Sequence, residues 1–293
     1  MEAWAGRNAR YIAEKGLTSR EREVPEPEVA VAMEAGKVYA TADLPGIAIA
    51  EGVRASVSWG RGTLLEWLEM EPGALYPEQT LPGELITAVQ GGSATCEVNG
   101  REVELSGRSF LYLTDGMRRT LRAGAGGFAA MEVFSPVLAE HLELAGTKLP
   151  ADADVGFPDQ GIEPSLRPGV VYRFEDIPRQ PVVMPGRESL PPTAHTTLMW
   201  SRNFMLSFIR MDGGSSFPHH FHPEDQLMMV LQGEMEEGII DDWLPMRDLD
   251  VILQPGRMVH AARIAPAGVD VVDVFWPVRP DYMAMAQQYR AGS

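Results

Sequence analysis

GSSFPHHFHPEDQLMMVLQG, residues 214–233, is the segment that says most about the fold of this 293-residue chain. Within it His220 and His222 are two residues apart, so on a strand both side chains point to the same face. Gln226 has the same parity and begins an apolar run, and His260 follows 34 residues later, as expected for a strand that returns beside the first. Three imidazoles and an amide oxygen converging inside a barrel are suited to bind a divalent transition metal. The alternative for His-X-His alone is a polar surface turn.

The chain contains two copies of one segment. Trp59-Gly60-Arg61 recurs 141 residues later as Trp200-Ser201-Arg202, and further matches at this offset follow near the end of each copy. Between them, Val89-Gln90-Gly91 matches Leu231-Gln232-Gly233 at an offset of 142, which predicts one inserted residue. A repeat of this length predicts two copies of one domain.

Each copy shows short apolar runs separated by Gly, Pro and Asn, a pattern typical of an all-β sandwich or barrel. The predicted strands are Leu64–Met70, Leu85–Gln90, Thr95–Val98 and Phe110–Leu113 in the first copy, and Met205–Met211, Leu227–Gln232, Met235–Ile240 and Val251–Gln254 in the second. Asn99-Gly100 predicts a two-residue hairpin turn. Helical periodicity predicts helices near Ala3–Lys15, Pro136–Leu144 and Pro280–Arg290.

Two motifs of the second copy resemble those of the cupin superfamily. The first is Gly214-(X)5-His220-X-His222-(X)3-Gln226-(X)6-Gly233, and the second is Pro255-X-Arg257-X-X-His260. Two positions depart from the family pattern, because the family usually has glutamate at the position of Gln226 and glycine at that of Arg257. The resemblance covers roughly residues 50–135 and 190–278. With the repeat, it implies an all-β bicupin of two tandem jelly-roll barrels, with a short N-terminal helix and a C-terminal helix.

These patterns predict four segments. Residues 1–45 form an N-terminal helix and arm, and residues 46–145 an N-terminal cupin barrel. Residues 146–190, rich in Pro, Gly and Asp, form a connector, and residues 191–293 a C-terminal metal-binding barrel.

The first copy lacks the ligand set. Its residues aligned with His220, His222 and Gln226 are Glu78 or Gln79, Thr80 or Leu81, and Glu84. Arg119 stands at the position of His260, and an arginine there repels a cation. We expect a metal-free barrel that serves packing and dimerisation; the alternative is a pocket that uses Arg119 to bind an anion.

Three neighbours of the predicted metal ligands are candidate catalytic residues. His219 has the opposite strand parity, and Glu224 follows Pro223 in a turn; either could move a proton, and Glu224 could instead orient an imidazole. Arg257 lies at the barrel mouth, where it could hold a substrate carboxylate or offset local acidity.

Three neutral imidazoles and a neutral glutamine leave the +2 charge of a metal uncompensated, which favours an anionic ligand. We expect one divalent transition metal per chain, Fe²⁺ first, with Zn²⁺, Mn²⁺ or Ni²⁺ as alternatives. The resemblance implies a dioxygenase that acts with O2 on a small, largely apolar enolic or aromatic substrate. The alternatives are a non-redox lyase, isomerase or polyketide-type cyclase, and a non-catalytic ligand-binding bicupin.

Composition excludes several other classes of protein. The net charge of −16 argues against nucleic acid and anionic membranes as partners. No stretch approaches the ~20 apolar residues of a membrane helix, and the N-terminus does not read as a signal peptide. The single cysteine, Cys96, allows no internal disulfide and fits a reducing compartment. We therefore expect a cytoplasmic protein, and a homodimer because cupins commonly pair through barrel edges.

Overall fold

The computed structural model describes residues 2–21, 33–147, 160–182 and 192–292. The elements of the first half are α1 Glu2–Lys15, β1 Val38–Ala40, β2 Gly46–Ala50, β3 Val53–Trp59, β4 Leu64–Met70, β5 Leu75–Thr80, β6 Glu84–Val98, β7 Arg101–Ser106, β8 Ser109–Leu113, β9 Arg118–Ser135 and α2 Ala139–Leu144. Those of the second half are β10 Val171–Arg173, β11 Arg179–Pro181, β12 Ala194–Trp200, β13 Met205–Met211, β14 Ser216–His220, β15 Asp225–Ile239, β16 Asp242–Arg247, β17 Asp250–Gln254, β18 His260–Trp276 and α3 Pro280–Gly292.

The strands form two antiparallel jelly-roll sheets of the same design. The first sheet has the order β10-β8-β6-β9-β4-β3-β2, with β5 on β9 and β7 on β6. The second has the order β1-β17-β15-β18-β13-β12-β11, with β14 on β18 and β16 on β15. This confirms the predicted all-β fold of two tandem barrels with an N-terminal and a C-terminal helix.

From β3 and β12 onward the two barrels keep one register at an offset of 141 residues, whereas β1 and β2 correspond to β10 and β11 at an offset of 133. Val89 and Val230 hold equivalent positions, as do Gly92 and Gly233, so the predicted insertion was wrong. Both glycines have positive φ, +68° and +101°, and a Cβ on either would meet a carbonyl oxygen of the facing strand at 2.1 and 2.5 Å. The close approach of two strands therefore requires glycine at both positions and makes Gly92 the equivalent of Gly233. The match of Gln90-Gly91 with Gln232-Gly233 in the sequence was a coincidence.

Several strand predictions were confirmed. β4 and β13 match their predicted bounds to the residue, and Asn99-Gly100 forms the two-residue turn between β6 and β7, with both residues at positive φ. The strands predicted at Leu85–Gln90 and Thr95–Val98 form one long strand, β6, and those predicted at Leu227–Gln232 and Met235–Ile240 form most of β15. In both cases bulges bend the strand without ending it. Helix α2 begins three residues later than predicted, and none of the described helices has the length and apolar character needed to cross a membrane.

Apolar side chains of the strands form three large apolar layers, and a smaller fourth cluster includes Ala286 of α3. One fills the first barrel, with members such as Leu68 and Phe134, and another fills the second, with members such as Met228. The third lies between the barrels, where Phe110 of the first meets Phe208 of the second. The outward faces of both sheets are therefore buried against each other.

The segments that precede each barrel cross over to the other one. β1, in the N-terminal arm, pairs with β17 of the second barrel before the chain enters the first barrel as β2. β10, in the connector, pairs with β8 of the first barrel before the chain enters the second as β11. Residues 148–159 and 183–190 of the predicted connector lie outside the described residues. The four domain boundaries stay a prediction, but the sheets exchange strands across them.

Candidate metal centre

Three of the four predicted ligands converge at one end of the second barrel. The possible ligand atoms of His220, His222 and His260 all lie within 4.8 Å of one another. His220 ends β14 and stands opposite His260, which begins β18. His222 lies beyond the end of β14, in the turn before β15, so the turn places it and not the strand alternation from which it was predicted. The backbone N–H of Arg257 fixes this turn by donating to the His222 carbonyl at 2.6 Å.

Each imidazole is oriented by a backbone carbonyl two residues away. Nδ1 lies 3.0 Å from the Pro218 oxygen in His220, 3.0 Å from the Glu224 oxygen in His222 and 2.9 Å from the Met258 oxygen in His260. Because a carbonyl oxygen only accepts, Nδ1 carries the proton in all three rings. The three Nε2 lone pairs are therefore available to a metal, in the arrangement typical of imidazole ligands.

Burial keeps these rings neutral. It lowers the pKa of His220 to about 4, and it lowers the pKa values of His222 and His260 well below the ordinary value of 6.5. Arg279 adds a positive charge near all three rings and lowers the pKa values further. At neutral pH the site offers uncharged donors.

Gln226 is the fourth predicted ligand, and the orientation of its side chain fits a cation. Its amide nitrogen donates to Asp273 at 2.9 Å, which turns Oε1 toward His222 Nε2 at 3.0 Å. Neither of these two atoms carries a hydrogen in the arrangement described, so each presents a lone pair to the other. Two ligands about 2.1 Å from one ion and at right angles to each other lie roughly 3 Å apart. A divalent metal therefore satisfies a contact that would otherwise be repulsive.

A small cavity of about 40 Å³ adjoins these donors. Apolar side chains of methionine, phenylalanine, isoleucine, valine and alanine make up more than half of its lining, and the polar lining residues are His220, Gln226, Glu237, His260, Asp273, Arg279 and Tyr282. This volume accommodates only a few water-sized groups. The site therefore favours a small polar ligand.

Two carboxyl groups in the cavity are shielded from solvent. Burial raises the pKa of Asp273 to about 7, and burial also raises the pKa of Glu237 well above its ordinary value of 4.5. Glu237 accepts a hydrogen bond from Gln254, whose own amide oxygen is buried and has no hydrogen-bond partner. The cavity therefore contains two carboxyl groups that hold their protons at higher pH than exposed carboxyl groups do, as general acid–base catalysis requires.

Arg279 places a positive charge at the same cavity. Its guanidinium lies 4.8 Å from the centroid of Phe275 and 4.0 Å from that of Tyr282, and it pairs with Asp281 at 2.7 Å. The side chain is only 7% exposed. This cation is suited to attract a carboxylate or enolate into the cavity.

The first barrel shows that these polar groups are not needed to build the fold. At the equivalent positions Glu237 becomes Cys96, Gln254 becomes Leu113 and Arg279 becomes Leu138, all buried. The sequence reasoning missed the three polar residues because none belongs to a metal-ligand motif. A comparison of the two copies at the constant offset of 141 would have found them.

The catalytic candidates predicted from sequence lie outside the cavity lining. His219 packs between Tyr11 of α1 and Trp243, with ring centroids 5.2 and 5.5 Å away. Glu224 is fully buried and bonds to Arg20. Arg257 is exposed. Their catalytic roles stay predictions.

The contacts of Glu224 and Arg257 indicate that both position His222. The Glu224 carbonyl accepts from His222 Nδ1, and its carboxylate lies 3.7 Å from the same nitrogen. Arg257 has φ +69° and supports the turn through its backbone N–H. This left-handed conformation explains why glycine is usual at this position in the motif that the sequence resembles.

In the first barrel an ion pair stands in place of the ligands. Gln79 faces Arg119 in the register where His220 faces His260, and Leu85 occupies the position of Gln226. The alignment of Glu84 with Gln226 was therefore wrong by one residue. Arg119 is 1% exposed and makes a two-pronged ion pair with Glu132, with one bond of 2.8 Å. Because its guanidinium is already paired with Glu132, Arg119 is not available to bind an anion, which disfavours the alternative of an anion pocket in the first barrel.

Comparisons with known proteins support the fold alone. No protein-family model and no curated protein matches the chain. Among solved structures, a point mutant of Bacillus subtilis oxalate decarboxylase OxdC matches with a TM-score of 0.60 and 14% identity, covering 86% of this chain and 80% of that one. The formate complex of Lactobacillus farciminis oxalate decarboxylase matches with a TM-score of 0.61 and 13% identity, covering 84% of this chain and 87% of that one. AerE from Microcystis aeruginosa matches with a TM-score of 0.59 and 10% identity, covering 79% of this chain and 95% of that one. The chain therefore has the fold of the two-barrel cupins.

Proposed function

We propose that the protein is a divalent-metal-dependent enzyme that acts on a small organic anion by non-redox, lyase-type chemistry. The observation that carries this proposal is the meeting of three Nε2 lone pairs, two buried carboxyl groups and one buried guanidinium around a cavity of about 40 Å³. The fold shared with oxalate decarboxylases, which by name act on a small dicarboxylate, supports it.

His220, His222, His260 and Gln226 are the residues that would hold the metal. When bound, a divalent ion supplies a Lewis acid that polarises an oxygen of the ligand. All four donors are neutral, so the site retains a net positive charge and favours an anion. Arg279 adds to this preference and binds a carboxylate on the same ligand.

Glu237 is the group we assign to proton transfer. Burial raises its pKa, which holds its carboxyl group in the protonated form at pH values where an exposed glutamate is ionised. Gln254 donates to Oε1 and so fixes the direction of the carboxyl group. Asp273 is already engaged with Gln226, so its role is to orient that amide. Glu237 can therefore give a proton to, or take one from, a carbon or oxygen of a ligand in the cavity.

A dioxygenase with Fe²⁺ is the second candidate function. It is favoured by the donor set itself, because a weakly bound Gln226 would leave room at the metal for a chelating substrate and for O2. The small size of the cavity and the buried guanidinium in its lining favour a small organic acid over the apolar aromatic substrate expected from the sequence. A binding protein without turnover is the third possibility.

The test is a substrate screen with protein loaded separately with Mn²⁺, Fe²⁺, Zn²⁺ or Ni²⁺. Small dicarboxylic, 2-oxo and 2-hydroxy acids are incubated with and without oxygen, alongside catechols and diketones, and followed by NMR and an oxygen electrode. We expect turnover of an acid without oxygen consumption. Oxygen uptake equal to product formation would contradict the lyase and favour the dioxygenase, and no turnover with any metal would favour the binding protein.

Variants then test the assigned residues. Glu237→Gln should lower the turnover number at least about tenfold while leaving the metal content unchanged, because general acid–base groups contribute factors of about 10² to 10⁴. The matched control is Glu236→Gln, which changes the exposed neighbour on the same strand. Equal rates in the two variants would exclude Glu237 from the reaction.

A further inference from the structure

A second cleft, of about 300 Å³, opens at the edge of the interface between the barrels. Arg108 and Phe174 contribute from the side of the first barrel, and the second barrel contributes strands β11, β12, β13, β15 and β18. The lining residues there include Arg179, Thr197, Phe208, Arg210 and Asp270. Clefts of this volume between domains are common ligand sites.

Three arginines from separate parts of the chain meet in this cleft. Arg108 lies over the Phe174 ring, 3.9 Å from its centroid, and its guanidinium is held in place by that contact. Arg210 donates to Asp270 at 3.1 Å and to the Ala267 carbonyl at 2.9 Å. With Asp270 as the one acidic residue of the lining, the cleft carries a net charge of about +2 in a chain of −16.

The floor of the cleft contains an unsatisfied polar group and an aromatic surface. Arg179, Thr197 and Phe208 stand in one row across three neighbouring strands. The Thr197 hydroxyl is fully buried and has no hydrogen-bond partner. Phe208 packs against Phe174 edge to face, with centroids 5.7 Å apart. A buried hydroxyl without a partner costs free energy unless a ligand or water satisfies it.

The repeated architecture supplies an internal control for this cleft. The backbone N–H of Phe174 donates to the Arg108 carbonyl in one half, and that of Thr41 donates to the Leu249 carbonyl in the other. On the neighbouring strands, Thr197 pairs with Arg179 in the second barrel, and the equivalent Ser56 pairs with Gly46 in the first. Leu249 and Gly46 therefore stand where Arg108 and Arg179 are found.

The third arginine is replaced as well. Glu69 occupies the position equivalent to Arg210. None of the three positions requires an arginine to build the fold, and none of the equivalent positions in the other half carries a positive charge.

We propose that this cleft binds a small organic dianion with an aromatic or other apolar body. Arg108 and Arg179 bind the charged group, the Thr197 hydroxyl donates to one of its oxygens, and the apolar body lies on Phe174 and Phe208. Guanidinium groups recognise carboxylates and phosphates through paired N–H donors. The site is separate from the metal centre, because its charged residues line the outside of the second sheet and the imidazoles lie within the barrel.

The experiment titrates phenyl phosphate into the full-length, metal-free protein by isothermal calorimetry. We expect saturable binding that weakens with added salt, and that weakens at least about tenfold in Arg108→Gln and in Arg179→Gln. Arg263→Gln, which changes an arginine stacked on Trp243 away from the cleft, is the matched control and should bind as the wild type does. His260→Ala should also bind normally, since the metal centre takes no part.

Three results would overturn the proposal. One is the absence of saturable binding up to about 10 mM phenyl phosphate, and another is equal affinity in the wild type and both glutamine variants. The third is binding of inorganic phosphate as tight as that of phenyl phosphate, which would remove the role given to Phe174 and Phe208.

Discussion

The donors of the proposed metal centre are held in place by main-chain atoms. Each imidazole gives its Nδ1 proton to a carbonyl within two residues, so the turns around positions 218–224 and 256–260 fix where the Nε2 atoms point. Gln226 is the exception, because another side chain, Asp273, orients it. The contribution of the amide can therefore be separated from that of the rings by mutation.

Gln226→Leu should leave the barrel folded and weaken metal binding at least about tenfold, or roughly 1.4 kcal/mol. The first barrel already has Leu85 at this position, so the substitution suits the fold. Metal affinity is measured by competition with a chromophoric chelator. Gln254→Leu, which introduces the residue that the first barrel has at Leu113, is the control and should keep wild-type affinity. Equal affinity in all three proteins would show that Gln226 is not a ligand.

Glu237→Gln should change how stability depends on pH in the metal-free protein. The folded-state pKa of Glu237 is raised, so its contribution is most favourable below the unfolded value of 4.5 and is lost as pH rises toward the folded value. Asp273, His260 and Arg279 line the same cavity and remain in the variant. Urea unfolding between pH 5 and 8 should therefore show a smaller loss of stability in the variant. An unchanged slope would mean that Glu237 is already ionised in the folded protein.

Arg257→Gly should raise the free energy of unfolding by about 0.5–1 kcal/mol, because it removes a side chain from a left-handed backbone conformation. The measurement is thermal unfolding, with Arg263→Gly, in the middle of β18, as a control that should lower stability. The same variant tests the role predicted from sequence. A fall in substrate affinity, with metal content unchanged, would indicate that Arg257 binds the substrate carboxylate.

Sequence reasoning predicted the candidate ligands but not the residues that surround them. His220, His222, Gln226 and His260 were predictable because metal binding requires particular side chains at particular spacings. Glu237 has no such signature, since an isolated acidic residue on a strand is ordinarily solvated. Only the burial produced by the closed barrel gives that carboxyl group its chemistry.

Among the elements, helix α1 supports the turn that carries His260. Its buried Asn8 donates to the Arg257 carbonyl at 2.8 Å and accepts from the Val259 N–H at 2.8 Å. These bonds flank Met258, whose carbonyl orients the His260 ring. The N-terminal helix is thus part of the construction of the second barrel.

Asn8→Ala should lower the free energy of unfolding by about 1–3 kcal/mol, because it leaves the buried Val259 N–H and the Arg257 carbonyl without their partner. It should also weaken metal binding, since the His260 turn loses its support. Arg10→Ala, on the exposed side of the same helix, is the control for both measurements. Unchanged metal affinity in a destabilised Asn8→Ala protein would separate α1 from the site.

Local patterns predicted the long strands and missed the exchanged ones. β4 and β13 are seven-residue segments made mostly of apolar residues, and that composition is visible in the sequence. β1 and β10 have three residues each, and their partners lie in the other half of the chain. Their pairing depends on how the two barrels pack, which no short window of sequence contains.

At the scale of the whole molecule, the two barrels have the same register but different interiors. The second holds the candidate metal donors, and the first holds the buried Arg119–Glu132 pair at the equivalent place. The pair is reinforced by Thr87, which donates to Glu132 at 2.6 Å, and by Gln79, which accepts from Arg119 at 3.2 Å. The first barrel is therefore expected to be structural.

Arg119→Ala should cost about 3–5 kcal/mol of stability, because it leaves the buried Glu132 carboxylate without its partner. Metal content should stay at the wild-type value. Chemical denaturation and metal analysis of the same preparation measure both. The paired variant Arg119→Leu with Glu132→Leu should recover part of the stability, and a loss of bound metal in the folded Arg119→Ala protein would show that the first barrel also binds it.

The most direct test of the metal centre is the metal content of tag-free protein, purified without oxygen and analysed by mass spectrometry. We expect about one equivalent of a divalent transition metal per chain in the wild type and none in His260→Ala, with circular dichroism showing that both are folded. A wild-type protein that contains no metal and takes up none on titration, or a variant that keeps a full equivalent, would contradict the assignment.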